Sequence, residues 1–398
     1  MMGLAASPPA GRFFPDRPEA RRTLAIASIA HALHDGYTDT IYVLLPVWQA
    51  EFALGYSILA LLRGLCAGVM AVLQVPAGQL AGRLGGRMVL ALGTALAALG
   101  FALAGASGSV VGLCAALGLA GAGSSTQHPI ASASVSRSFG AAARGPLGTY
   151  NFAGDMGKAA IPLLTSVLLT LMTWRRSLWV LALVGLVVAI LVAFLLPPIA
   201  QVRPDEGSVG GGRGGFLLLL AIGVLDTGVR MGLLTFLPFL LKAKAASMPT
   251  VGGALALVFI GGAAGKFTCG WLGARLGVLR TVLLTEGGTA GCILAVLLLP
   301  LAPTLLMLPL LGVMLNGTSS VLYGTVPELA PAHRAERAFA LFYTGTIGSG
   351  AICPVLYGVL GDALGPNVAT VATAATALAI FPLAFALAPY LTANTVRS

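Results

Sequence analysis

Along this chain long apolar runs alternate with short breaks at glycine, proline or clustered charge. A helix needs about 20 residues to cross a bilayer. Runs of that length fall at about 24–49, 57–80, 88–106, 109–130, 146–172 and 177–197, then at 216–241, 250–272, 279–299, 303–326, 338–360 and 367–391. The pattern predicts twelve transmembrane helices. The longest polar stretch in the interior, QVRPDEGSVGGGRGG, separates the sixth run from the seventh and reads as a flexible linker. The expected organisation is a tail over 1–22, a six-helix bundle over 23–198, a linker over 199–215, a second six-helix bundle over 216–392 and a short tail over 393–398.

Composition agrees. Hydrophobic residues make up 57% and charged residues 9%, where a soluble domain has about 25% charged. The expected fold class is an all-α polytopic membrane protein. The net charge of +10 would suit a nucleic-acid partner, but its placement favours topology instead. With a cytoplasmic N-terminus the inner segments hold fifteen basic residues (Arg12, Arg17, Arg21, Arg22, Arg83, Arg87, Arg137, Arg144, Arg203, Arg213, Arg275, Arg280, Arg334, Arg337 and Arg397), and the outer loops hold four, Arg175, Arg176, Lys242 and Lys244. That asymmetry is the positive-inside rule, and it puts both termini in the cytoplasm. Arg21-Arg22 followed by LAIASIAHA resembles a twin-arginine signal start, yet the apolar run continues past any cleavage point, so an uncleaved first span is expected. The cysteines (Cys66, Cys114, Cys269, Cys292, Cys353) fall within apolar runs without metal-ligand spacing and read as small buried hydrophobes.

Ionisable residues inside spans are the candidate chemistry, because an isolated charge at bilayer depth is costly and should face a protein interior or a water-filled path. His31, His34, Asp35 and Asp39 lie in the first span, with His31, Asp35 and Asp39 at successive i, i+4 positions on one helix face. Imidazole and carboxylate there can relay protons; a divalent ion is the rival ligand, weakened by the lack of CxxC or His-rich motifs. Asp226 and Arg230 in the seventh span, and Asp155 and Lys158 in the fifth, form i, i+4 and i, i+3 pairs that either neutralise each other or line a cavity. Tyr150 and Asn151 precede the second pair, and Pro162 follows it. Arg63 is close enough to the outer end of its span to snorkel. Lys266 is too deep to do so and is a candidate anion contact. Asn316 and Tyr323 are candidate cavity polars. His128 is placed near a helix terminus made by Pro129, and Glu286 reads as structural.

The two halves repeat each other. GQLAGRLG (Gly78 to Gly85) follows the second span and GWLGARLG (Gly270 to Gly277) the eighth; Asp35 precedes Pro46 as Asp226 precedes Pro238; GAGSS (Gly121 to Ser125) matches NGTSS (Asn316 to Ser320). Such repeats are how transporter folds are commonly built. These residues resemble the major facilitator superfamily, whose cytoplasmic loop signature is similar to both glycine-rich segments; Gly78, Arg83, Gly270 and Arg275 would then serve structural or gating roles. Gly82 stands where that family usually has an acid. Within the superfamily HALHD (His31 to Asp35), LLPVWQAEFALGYSILAL, GAGSSTQHP (Gly121 to Pro129) and YNFAGDMGKAAIPLL resemble fosmidomycin-resistance-type transporters, with His31, Asp35, His128 and Pro129 matching and His34 and Asp39 departing.

That resemblance implies two rocking six-helix bundles, drug/H+ antiport and export of a small organic molecule from a cell with the protein in a bacterial inner membrane. Expected partners are a small-molecule substrate, protons and the lipid bilayer, with no nucleic acid, no cofactor and a monomeric state. Proton-coupled uptake of a small anion or metal chelate, through Lys158, Arg230 and Lys266, is the main competitor. A non-transporting sensor or assembly protein on the same scaffold is a third reading. No nucleophile elbow, metal motif or phosphate loop supports an enzyme. The intramembrane charges, four basic against five acidic, are too balanced to give the sign of the substrate.

Overall fold

The structure, a computed structural model, describes residues 18–198, 213–329 and 335–395. Arg12, Arg17, Arg203, Arg334 and Arg397, with most of the expected linker and both tail ends, lie outside the described residues. Fourteen α-helices form twelve spans among the described residues: α1 (Pro18–Phe52), α2 (Tyr56–Leu84), α3 (Gly86–Ala106), α4 (Val110–Ser124) with α5 (Gln127–Phe139), α6 (Arg144–Leu171), α7 (Trp174–Leu195), α8 (Arg213–Ala243), α9 (Met248–Leu276), α10 (Val278–Leu298), α11 (Leu301–Leu329), α12 (Ala335–Leu364), and α13 (Pro366–Leu378) with α14 (Ile380–Thr395). Eleven spans are long and apolar enough to cross a membrane. The other, α1, is the longest helix at 35 residues, and the histidines and acids at its centre dilute its apolar character.

Several boundaries move. Helix α1 starts at Pro18, inside the expected tail, and α8 starts at Arg213, inside the expected linker. The fourth span is broken, but at Ser125 and Thr126 rather than at Pro129, which sits in the first turn of α5. Proline is tolerated there because the first-turn amides have no intrahelical acceptor. Pro162 is likewise absorbed within a continuous α6. The repeated glycine-rich segments form the last turns of α2 and α9, not loops beyond them. They end at Gly85 and Gly277, with φ of 86° and 80°, a conformation open to glycine and strained for other residues.

Helices α1–α7 and α8–α14 form two bundles, which meet mainly where α2 packs on α12 and α6 on α9. Small residues let backbones approach: a Cβ on Gly64 would lie 2.6 Å from the Ala351 carbonyl oxygen, and one on Gly252 would overlap Ser166. The bundles are joined at the end where α1 turns into α2. There Asp362 of α12 accepts from the backbone amides of Tyr56 and Ser57 at 2.5 and 3.1 Å and from the Ser57 hydroxyl. Tyr56 also packs edge-on against Phe239. Towards the opposite end Val72, Val75 and Leu84 of α2, and Phe267 and Trp271 of α9, are exposed. A cleft of about 650 Å³ between α2 and α12 is lined by apolar residues such as Leu61, Val69, Val72 and Ile352; the ionisable side chains are elsewhere.

Candidate functional site

Helix α1 crosses the middle of the N-terminal bundle against α6, and two glycines of α6 set the approach. A Cβ on Gly157 would overlap the Ala32 carbonyl, and one on Gly154 would lie 2.6 Å from the His31 ring and 2.8 Å from Asp35 Oδ2. Gly154 therefore makes the space in which His31 and Asp35 meet.

Asp35, 8% exposed, is the hub of a cluster. His31 Nε2 lies 3.2 Å from Oδ2, Lys158 Nζ of α6 lies 3.2 Å from Oδ2, and His128 Nε2 of α5 lies 3.6 Å from Oδ1. His31 Nδ1 sits 2.9 Å from the Tyr150 carbonyl, and its ring stacks on the Tyr150 ring at 4.2 Å between centroids. A carbonyl oxygen only accepts, so Nδ1 carries a proton. Nε2 then faces Asp35 Oδ2, a carboxylate oxygen that Lys158 Nζ also approaches at 3.2 Å. Gln127 Nε2 steadies the site by donating to the Tyr150 hydroxyl at 2.9 Å.

The cluster extends into the other bundle. Lys158 Nζ is 3.9 Å from Asp155 Oδ1, its i−3 neighbour, while Lys266 of α9 grips both Asp155 oxygens at 2.6 and 2.7 Å. Lys158 and Asp155 are thus not a closed pair: each has its closer partner on another helix. Exposure separates the signs. The side chains of His128, Lys266 and Lys158 are 42%, 39% and 30% exposed, those of Asp35 and Asp155 only 11% and 10%. The bases are thus the more exposed members of the cluster, and the acids the more covered.

One turn further along α1, Asp39 lies 4.0 Å from Arg63 Nη2. Arg63 does not snorkel: it is 6% exposed, covered by the Tyr42 ring and donating to the Gly350 carbonyl of the opposite bundle at 3.4 Å. Asp226 and Arg230 communicate through Ser319 of α11. The Ser319 hydroxyl donates to Asp226 Oδ2 at 2.9 Å and receives from Arg230 Nη1 at 3.0 Å. Arg230 also donates to Asn316 Oδ1 at 3.4 Å. Tyr323 meets Thr346 at 3.4 Å and packs on Phe342 and Tyr343.

Other candidates lie apart. His34, 2% exposed, points away from Asp35: Nε2 meets Thr94 Oγ1 and Nδ1 meets Ser124 Oγ, both at 3.0 Å. The Thr94 hydroxyl proton goes to the Leu90 carbonyl at 2.8 Å, so Nε2 donates and Nδ1 accepts from Ser124. This neutral ring pins α1 to α3 and α4. Asn151 is on an exposed face of α6, and Arg83 and Gly270 are exposed in the last turns of α2 and α9; Gly78 is partly exposed, and Arg275 stacks on Trp271 at 4.1 Å. Glu286, which the sequence reads as structural, is 2% exposed on α10. As for a metal, His34 and Asp39 do not join the other donors. His31, Asp35 and His128 do converge, within 4.8 Å of one another, but the Lys158 ammonium already supplies a cation to that carboxylate.

Two pseudo-symmetric helical bundles around a membrane-depth cluster of charges define a polytopic solute carrier rather than an enzyme. The chain belongs to the Major Facilitator Superfamily, whose family profile matches residues 24–222 and 218–397. Among solved structures it is similar to a bacterial homolog of the human lysosomal transporter Spinster. The inward-facing, occupied form superposes with a TM-score of 0.80 at 14% identity, over 96% of this chain and 99% of that one. The unoccupied form gives 0.80 at 15%, with the same coverage. The human organic anion transporter MFSD10 (TETRAN) gives 0.65 at 14%, over 92% and 100%. No curated protein sequence matches. At these identities the likeness establishes the fold.

Proposed function

We propose that this protein is a proton-coupled secondary transporter whose coupling site is the His31–Asp35–Lys158 cluster and whose solute carries a negative charge. The observation that carries the reading is that one buried carboxylate is shared: His31 Nε2 and Lys158 Nζ each lie 3.2 Å from Asp35 Oδ2, so a proton taken up by Asp35 competes with Lys158 for it. Protonating Asp35 removes the anionic partner of Lys158 and frees its ammonium beside the exposed Lys266 and His128. A proton and an anion then assist each other's binding, which is a coupling free energy between two ligands. That linkage favours symport. The structurally similar human MFSD10 is an organic anion transporter, which agrees in sign.

In this reading the bundles rock about the site, with Asp155–Lys266 as the bridge between them and Asp39–Arg63, Arg230, Asn316 and Tyr323 along the path. His34 serves as a structural anchor of α1. In this reading the end of the seam away from Asp362 is the cytoplasmic one, with both termini on that side of a bacterial inner membrane and the protein acting as a monomer. The second reading is drug/H+ antiport of the fosmidomycin-resistance type, supported by the likeness of HALHD, GAGSSTQHP and YNFAGDMGKAAIPLL. There a solute competes with the proton rather than assisting it.

Proteoliposome flux with a panel of mono- and dicarboxylate, phosphonate and cationic dye probes separates the readings. Symport predicts uphill movement of an anionic probe along an imposed proton gradient and its loss in Asp35→Asn. Uphill movement against the gradient establishes antiport, and absence of flux for every probe points to a sensor.

A further inference from the structure

Four basic side chains stand at membrane depth, and three of them have an acid. Lys158 lies 3.2 Å from Asp35, Lys266 holds Asp155 at 2.6 and 2.7 Å, and Arg63 lies 4.0 Å from Asp39. Among the described residues no carboxylate comes within 4.0 Å of the fourth, Arg230. Its neighbour one turn back on α8, Asp226, is diverted. The Ser319 hydroxyl gives its proton to Asp226 Oδ2 at 2.9 Å and takes one from Arg230 Nη1 at 3.0 Å, so the two charges meet only through a hydroxyl. Ionisable groups inside a membrane pair with one another or mark the path of a ligand.

The guanidinium is also only half used. It presents five N–H groups in a rigid plane, and a bidentate oxyanion takes two parallel ones along one edge. Nη1 is engaged by α11, on Ser319 and on Asn316 Oδ1 at 3.4 Å. Nε is buried with no acceptor, and Nη2 makes no hydrogen bond among the described residues. A buried donor left without an acceptor is costly, yet α11 fixes the plane so that the Nε–Nη2 edge is the free one. The fixing contact is itself held: Asn316 Nδ2 donates to the Gly312 carbonyl at 3.1 Å, and a Cβ on Gly262 of α9 would lie 2.5 Å from that nitrogen. Lys266 stands one turn beyond Gly262 on the same face of α9, so a second cation borders the place. Arg230, Asn316, Ser319 and Tyr323 are all half-buried, whereas Asp226 is 4% exposed.

We propose that the Nε–Nη2 edge of Arg230 is the seat of the solute's anionic group, a carboxylate or phosphonate whose paired oxygens accept two parallel N–H bonds. Ser319 and Asn316 orient the fork through Nη1, and Ser319 keeps the Asp226 carboxylate from closing on the cation. Nε is covered in this conformation, so both bonds form only once α8 and α11 shift, and the oxyanion binds that other conformation better. Alternating access requires such a difference in affinity between states. The seat rests on the reading that the solute is anionic, but not on Asp35 being the coupling residue.

Calorimetric titration of the full-length protein in lipid nanodiscs with benzoate, phenylphosphonate and neutral benzamide tests the seat without any proton gradient. Both anions should bind the wild type, and benzamide should not. Arg230→Gln and Arg230→Lys should each weaken the anions roughly tenfold or more, because lysine restores the charge but not the fork. Ser319→Ala, which lets Asp226 approach Arg230, should weaken them as well. The deficit of Arg230→Lys should persist when combined with Asp35→Asn. Affinity unchanged in Arg230→Gln, rescue by Arg230→Lys, or no binding of either anion overturns the seat. Flux of the same probes is scored separately. Rescue by Arg230→Lys with anion flux intact removes the seat alone, whereas movement of cationic probes only removes the anionic reading with it.

Discussion

Lys266 Nζ lies within 2.7 Å of both carboxylate oxygens of Asp155, and the two residues belong to different bundles. The only covalent connection between the bundles runs through the linker, so this ion pair at the depth of the site is a direct electrostatic tie between them. Removing Lys266 leaves Asp155 with Lys158 at 3.9 Å. Because the Lys266 side chain is 39% exposed, its worth is that of a partly screened pair, about 1 kcal/mol, rather than of a fully buried one. Lys266→Ala and Asp155→Asn should each lower the melting temperature in detergent, and together they should do less damage than the sum. A double-mutant cycle with coupling indistinguishable from zero removes the tie.

Helix α6 allows a comparison of opposite signs. Gly154→Ala places a methyl group 2.6 Å from the His31 ring, whereas at Gly148 nothing lies within 4 Å of the added carbon. Overpacking costs about 1–3 kcal/mol, and alanine is otherwise the better helix former by roughly 0.5–1 kcal/mol. Gly154→Ala should therefore destabilise the protein and displace His31 from Asp35, while Gly148→Ala should be neutral or stabilising. Thermal melts of the two variants side by side check this, and equal shifts would contradict the packing at α1.

The fold was readable because bilayer-length apolar runs and their charged ends are local signals, and because the repeated glycine motifs disclosed two halves. The acids and histidines of α1 were conspicuous for the same reason: they interrupt a run that should be apolar. Partnerships were not readable. Lys266 and Asp155 are separated by 111 positions, and their meeting depends on how α6 packs on α9. Spacing suggested that Asp155 belongs with Lys158 and Asp226 with Arg230, since i, i+3 and i, i+4 neighbours share a helix face. Tertiary contacts redirected each, through Lys266 and Asp35 in one case and through Ser319 in the other. Arg63 read as a snorkelling residue because nothing near it in sequence shows that Tyr42 covers it. Gln127 and Ser319 went unmarked as site residues. A near-balanced charge count also hid the difference in exposure between the bases and the acids of the cluster, which only the packing shows.

His31 and His34 are three residues apart and should behave differently. Both ring nitrogens of His34 bond hydroxyls of α3 and α4, so His34→Ala strips the buried Ser124 hydroxyl of this bond and leaves Thr94 with only the Leu90 carbonyl, and should cost about 1–3 kcal/mol. Its effect on the pH dependence of transport should be nil. His31→Asn removes the imidazole that faces Asp35 at 3.2 Å and should displace the pH profile of flux with a smaller loss of stability. Profiles that shift equally in the two variants would reverse this division of labour.

The last prediction concerns the closed end of the seam. Asp362 of α12 takes both first amides and the hydroxyl at the start of α2, so the carboxylate of one bundle acts as the N-cap of a helix in the other. A capping side chain is worth about 1 kcal/mol, and here it stabilises only conformations in which this end is shut. Asp362→Ala should therefore shift the equilibrium towards opening there by about fivefold, since 1.4 kcal/mol corresponds to tenfold, while leaving each bundle folded. Ala60, fully buried just inside this closure, is a suitable reporter. On a background with the native cysteines replaced, Ala60→Cys should react with a membrane-impermeant maleimide several-fold faster once Asp362→Ala is added. Asp362→Asn, which keeps one acceptor oxygen, should fall between the two. An unchanged labelling rate in Asp362→Ala would mean that Tyr56, Phe236, Phe239 and the close glycine contacts hold this end without the cap.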